Sequence, residues 1–184
     1  MINTQELPKP TKEKVLTWEE IRKMRIQAFD TFFAAFKPAL NAIYYPGSNK
    51  DFSPSKTKGF QGKRIIYVDM DTKAIQTLQR MGFDAYVSDA EAFDPGEVDL
   101  LLLFNFYADK PLEHVVKNGY VICNQHWQEQ AFTKILKKND FEFVGALVET
   151  NGIVRLDREN LQNYSLAPDR NKGKSANLFV FRKK

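Results

Sequence analysis

Cysteine is nearly absent: the 184 residues contain one, Cys123. A single thiol excludes an internal disulfide and fits a reducing compartment. It follows Val121-Ile122 in an apolar run, the setting of a buried, inert thiol rather than a nucleophile. Histidine is almost as scarce. His114 and His126, with the lone cysteine, make none of the spacings that hold zinc. Glycine numbers nine, and nowhere do several fall into a phosphate-cradling fingerprint. There is no Walker loop, no Gly-x-Ser-x-Gly elbow and no paired metal motif. Long hydrophobic runs are missing too. The longest, Val98 to Phe106, is broken by Asp99 and is far too short to span a bilayer. The N-terminus is polar and carries Pro8 and Pro10, without a signal-peptide pattern. The expectation is a cytoplasmic protein without a membrane partner. Charge of one sign is not dominant either: the net charge is +4, too mild to point to nucleic acid by itself. The basic residues gather at Lys56, Lys58, Lys63 and Arg64, at Arg170, Lys172 and Lys174, and at Arg182 to Lys184. A nucleic-acid footprint would need these clusters on one face.

What is present is aromatic. Fifteen Phe and seven Tyr predict a bulky core, in a chain whose length suits one domain. Residues 1–16 read as a loosely ordered lead-in, and 17–184 as a single α/β domain. Thr17 and Glu20 make a capping box at the start of a helix over 17–37. Its Ile21, Met24, Ala28, Phe29, Phe32, Phe33 and Phe36 recur at helical spacing, and Pro38 closes it. Alternation follows. Strands are expected at 40–45, 64–69, 84–88, 99–104, 120–123, 141–148 and 177–182. Helices are expected at 53–59, 72–81, 111–117 and 127–138. Strands separated by helices imply right-handed crossovers and a mostly parallel sheet covered on both faces. No helical pattern of adequate length separates the last two strands, so they should pair antiparallel around an inserted loop at 150–176.

Two stretches carry chemistry. Tyr44-Tyr45-Pro46-Gly47-Ser48-Asn49-Lys50-Asp51 is an apolar strand that breaks into a small polar loop. About twenty residues on, Ile65-Ile66-Tyr67-Val68-Asp69-Met70-Asp71 is a hydrophobic strand ending in acid. A strand, a tight loop and an acid at the tip of the next strand is how nucleotide-binding α/β folds hold a ribose. Asp69 is the first candidate, with Asp71 as its alternative or as a helix cap. Asn49, in that loop, is of a type that tolerates left-handed backbone angles better than most residues.

With Ser88-Asp89-Ala90 after the third strand, Val98-Asp99-Leu100-Leu101-Leu102-Leu103 as the fourth, and Leu178-Phe179-Val180-Phe181-Arg182-Lys183 at the close, residues 40–184 resemble the class I S-adenosylmethionine-dependent methyltransferases. The resemblance implies a Rossmann-like three-layer sandwich, with a seven-stranded, mostly parallel sheet whose last strand is antiparallel. It implies S-adenosylmethionine as cofactor, S-adenosylhomocysteine as product, and methyl transfer to an acceptor that the sequence leaves open. Asp69 and Met70 would then meet the ribose, Asp89 and Ala90 the adenine, and Pro46, Gly47, Ser48 and Asp51 the methionine end. The family's first loop begins with an acid followed by three alternating glycines. Here Tyr45 takes the acid's place, Gly47 matches the first glycine, and Asn49 and Asp51 replace the other two; Asp51 could supply the missing carboxylate. Members that methylate amino groups carry Asn or Asp, two prolines and an aromatic after the fourth strand. This chain has Asn105, Phe106 and Tyr107 without prolines, so Asn105 and Tyr107 are candidates to face the acceptor. His126 is a candidate general base or a bystander. A catalytically degenerate binding module on the same fold, acting through a protein or nucleic acid, is the alternative. A nicotinamide oxidoreductase would need a Gly-x-Gly-x-x-Gly loop that is absent.

Overall fold

A computed structural model describes residues 17–104, 109–124, 136–150, 152–158 and 178–184. The Thr17 capping box forms in full. Its hydroxyl accepts from the Glu20 amide while Glu20 Oε2 accepts from the Thr17 amide at 2.8 Å. Helix α1 runs Trp18–Phe36 and ends at Lys37, which adopts the left-handed conformation directly before Pro38. Ala28, Phe29 and Phe32 are buried from it.

The strands are β1 (Ala42–Pro46), β2 (Arg64–Asp69), β3 (Asp84–Val87), β4 (Val98–Leu103), β5 (Val115–Asn124), β6 (Phe141–Thr150), β7 (Ile153–Asp157) and β8 (Leu178–Lys183). Among the described residues they form one sheet in the order β3-β2-β1-β4-β5-β8-β6-β7. The neighbours from β3 through β5 are parallel, and β8 lies antiparallel between β5 and β6. All seven expected strands are present, and the last is antiparallel as expected. An eighth, β7, falls inside the segment 150–176 that the sequence suggests is a loop. It pairs Thr150 with Ile153 across a two-residue connection, the shortest hairpin loop. Gly152 there has a φ of 80°.

Two helices differ from expectation. In place of a helix over 53–59 stand one turn, α2 (Ser53–Lys56), and a 3-10 turn, Lys58–Phe60, separated by an extended Thr57. Helix α3 (Thr72–Arg80) matches, with Asp71 as its cap. The expected helix 111–117 stops as α4 (Lys110–Glu113), because Val115 already pairs with Val98 in the sheet. Its β-branched neighbours prefer a strand, and Asn118 in the left-handed region bends β5 at a bulge. Residues 136–138 are helical; the rest of the expected 127–138 helix lies outside the described residues.

Alternation along the strands divides the core in two. Ile43, Tyr45, Tyr67, Leu100 and Leu102 face Phe29 and Phe32 of α1 and Ile75 and Leu78 of α3. Tyr44, Ile66, Val68, Leu101 and Leu103 face Leu112 of α4 and Leu136. The result is helix, sheet and helix. Chain order runs outward from β1 through β2 to β3, then returns to β4 on the other side of β1. That reversal opens a crevice at the carboxyl ends of β1 and β4, where sheets of this kind bind ligands.

Candidate functional site

A cleft of about 380 Å³ lies at that crevice, within the size range of small-molecule sites. It is lined by Tyr45, Gly47, Ser48 and Asn49 from β1 and its loop, Val68, Asp69 and Met70 from β2, Ser88, Asp89 and Ala90 after β3, and Phe104 after β4. Trp18 and Arg25 of α1 complete the wall. The order β3-β2-β1-β4 therefore sets out the chemistry in a line: an acid, a second acid, a small polar loop, then an aromatic ring.

The loop after β1 turns through two left-handed residues, Gly47 with φ 62° and Asn49 with φ 50°. Asn49 thus adopts the backbone that a glycine would supply. Its side chain accepts from the Lys50 amide at 2.8 Å, and its own amide donates to Asp69 Oδ2 at 2.7 Å. Asp69 Oδ1 accepts from the Asp71 amide at 2.8 Å. Each Asp69 oxygen keeps a further lone pair, so the half-buried carboxylate is fixed in place and can still accept from a diol. Asp71 is committed elsewhere: it caps α3 by accepting from the Lys73 and Ala74 amides.

Asp89 is exposed and accepts from the Glu91 amide at 2.9 Å. Ala90 beside it is buried, and Met70 is 72% exposed at the cleft wall. Pro46 ends β1 and is buried; it does not line the cleft.

Asp51 is also outside the lining and is 2% exposed. Its Oδ1 accepts from the Ser53 amide at 3.0 Å, and its Oδ2 from Ser53 Oγ, the Tyr45 hydroxyl and Arg25 Nη1. Arg25 Nη1 also donates to Tyr45 Oη at 2.9 Å. Burial works against the Arg25 charge, but the Asp51 carboxylate and the hydrogen bonds to Asp51 and Tyr45 outweigh it, so its pKa is raised. Burial, foremost, holds the Tyr45 phenol well above its usual range. At the cleft this knot presents a guanidinium packed 4.6 Å from the Phe104 ring.

Arg25, Trp18 and Phe104 do not stand out as site residues in the sequence. One signal was there: Trp18, Arg22 and Arg25 fall four and three apart, along one stripe of α1 that is otherwise apolar. Asn105, Tyr107 and His126 lie outside the described residues. Among the described residues no group of three His, Cys, Asp or Glu could hold a metal ion, and no helix is long and apolar enough to cross a membrane.

No family profile and no curated protein matches the chain. Solved structures do. The N-methyltransferase NodS from Bradyrhizobium japonicum WM9 superposes with a TM-score of 0.60 at 14% identity, covering 90% of this chain and 97% of that one. The plantazolicin methyltransferase BamL, solved with a triazolic desmethylPZN analog and SAH, gives 0.60 at 13% identity, covering 90% and 85%. Residues 961–1257 of the StiE O-MT give 0.59 at 14%, covering 89% and 74%. The fold is that of these methyltransferases, a mixed α/β sheet that is mostly parallel, with antiparallel strands toward its C-terminus and an N-terminal helix.

Proposed function

We propose that this chain binds S-adenosylmethionine in the cleft over β3, β2 and β1 and transfers its methyl group to an acceptor entering beside Trp18 and Phe104. Asp69 carries the reading. It sits at the centre of the cleft, its carboxylate oriented by two backbone amides with acceptor capacity to spare, as a ribose diol requires. Asp89 and Ala90 would flank the adenine, and Gly47, Ser48 and Asn49 would pass under the amino-acid end. When bound, the cofactor supplies an electrophilic methyl group on a sulfonium. The chain's share is then positioning: transfer needs the acceptor in line and little further catalytic apparatus. Asn105 and Tyr107, which follow Phe104 in the chain, and His126 after β5 are the proposed acceptor-side residues.

A second reading has one observation in its favour. Among the described residues no carboxylate lines the β1 end of the cleft, because Tyr45 stands in the acid's place and Asp51 is buried in an ion pair. A catalytically degenerate module on this fold would have such a site.

Calorimetric titration with S-adenosylmethionine separates the two. Binding at one site per chain is expected, weakened at least about thirtyfold by Asp69→Ala, since two charge-assisted hydrogen bonds are lost. Absence of heat with the intact chain would sink the cofactor reading. Binding indifferent to Asp69→Ala would sink the assignment of Asp69.

A further inference from the structure

The amino-acid end of the ligand would meet a cation. We propose that Arg25 grips the carboxylate of that end, so that this chain recognises its nucleoside through the carboxylate rather than the ammonium group. This rests on the cofactor reading above and gives it a charge specificity.

The sheet order fixes which end is which. Asp89 follows β3 and Asp69 ends β2, so the nucleoside occupies that side. The amino-acid end falls over β1 and β4, where Arg25 bonds to Tyr45 of β1 and packs on Phe104 after β4. Among the described residues that line the cleft Arg25 is the one cation, and both acids lie at the other end.

Among the described residues an ammonium group would find no acceptor of matching charge there. Tyr45 is neutral, and its hydroxyl hydrogen goes to Asp51. Asp51 is 2% exposed, and four donors already surround its two oxygens. It serves as the anchor of Arg25 and does not face the ligand.

Arg25 is built for the opposite charge. Its side chain is 11% exposed. Among the described residues its hydrogen bonds to Tyr45 and Asp51 both leave from Nη1. Nη2 and Nε keep their hydrogens for another partner, and a guanidinium edge pairs with a carboxylate through two parallel bonds. Phe104 against its face and Asp51 at Nη1 hold the side chain still, so little rotamer freedom is lost when a ligand arrives.

The test measures binding to the intact chain by calorimetry with three nucleosides: S-adenosylhomocysteine, its decarboxylated analogue, and its deaminated analogue. Loss of the carboxylate should weaken binding at least about tenfold, and loss of the amine less than about threefold. The reverse order, or equal losses, overturns the role of Arg25 while leaving the cofactor reading intact. Binding by none of the three overturns the cofactor reading itself, and this inference with it. The paired variant Arg25→Met with Asp51→Asn removes both buried charges together, and its folding is checked by thermal melting. In that variant the preference for the carboxylate should vanish; a preference that persists overturns the assignment.

Discussion

Tyr44 and Tyr45 are neighbours in β1, yet their hydroxyls have opposite fates because their side chains leave the sheet on opposite faces. Tyr45 Oη is bonded to both Arg25 and Asp51. Tyr44 Oη is buried on the other face without a partner among the described residues, close to the Phe93 ring. An unmet buried hydroxyl costs more than its replacement by carbon. Tyr44→Phe should therefore leave stability unchanged or raise it by about 1 kcal/mol, whereas Tyr67→Phe should cost about 1 kcal/mol by losing the bond to Ser55 Oγ. The pH dependence follows from the same phenols. Burial, in each case the leading cause, raises the pKa of Tyr44, Tyr45 and Tyr67 above the usual 10.0. A group whose folded pKa is raised gives its full stability below the unfolded value and loses it as pH rises toward the folded one. Melting temperature should thus hold up to about pH 10 and fall above it, less steeply in Tyr44→Phe. An unchanged alkaline slope in that variant would contradict the account.

At this scale the sequence was partly legible. Asp69, Asp89, Gly47 and Asn49 each sit within a few residues of the strand that brings them to the cleft, so local order was enough to group them there. Asp51 was visible as a carboxylate near the cleft. Its use depends on Arg25, 26 residues earlier, a contact made only when α1 packs on the sheet.

Among the elements, α1 ties the fold to the site. It brings Arg25 and Trp18 to the cleft, and its seat is set by Gly59 in the 3-10 turn. A Cβ built on Gly59 would lie 2.3 Å from Phe33 Cγ and 2.7 Å from Phe33 Cβ. The second of these is not the far end of a flexible chain, so α1 itself must move. Gly59→Ala should cost about 1–3 kcal/mol through overpacking and should also weaken nucleoside binding, although residue 59 does not line the cleft. A loss of stability with unaltered binding would mean that α1 does not position the ligand. The helical period of α1 was legible from end to end because its capping box, aromatic stripe and closing proline agree. The short elements were not. Lys110–Glu113 is a single turn whose end is decided by the sheet, where Val115 pairs with Val98, and Ser53–Lys56 is a single turn cut off by the extended Thr57. β7 escaped because a five-residue strand in a polar segment has little pattern of its own.

For the whole molecule, the topology places the cleft at one edge and the cations Arg64 and Arg182 toward the other. Arg64 begins β2, whose far end is Asp69. Arg182 pairs in register with Tyr120, on the same side of the sheet as Arg64. Arg64 bonds to Asp84, Arg182 to Asn118, Lys183 to the Val115 carbonyl, and Lys184 pairs with Glu142. These cations have structural partners and lie away from the cleft, which weighs against a nucleic-acid acceptor held by them. The mostly parallel sheet was legible in outline, since most of its parallel strands are apolar runs; the antiparallel pairing of β8 with β6 followed from the missing crossover, whereas its second pairing, with β5, did not.

The central claim is that the cleft at the tips of β1, β2 and β3 is a nucleoside site. The most direct measurement is an amide shift map of the isotopically labelled chain titrated with S-adenosylhomocysteine. The account predicts saturable shifts centred on Gly47 to Asn49, Asp69, Met70 and Ser88 to Ala90, with Arg25 following. Shifts confined to the second depression between Lys37, Lys117 and Arg182 on the opposite edge, or no shifts at saturating ligand, would contradict it.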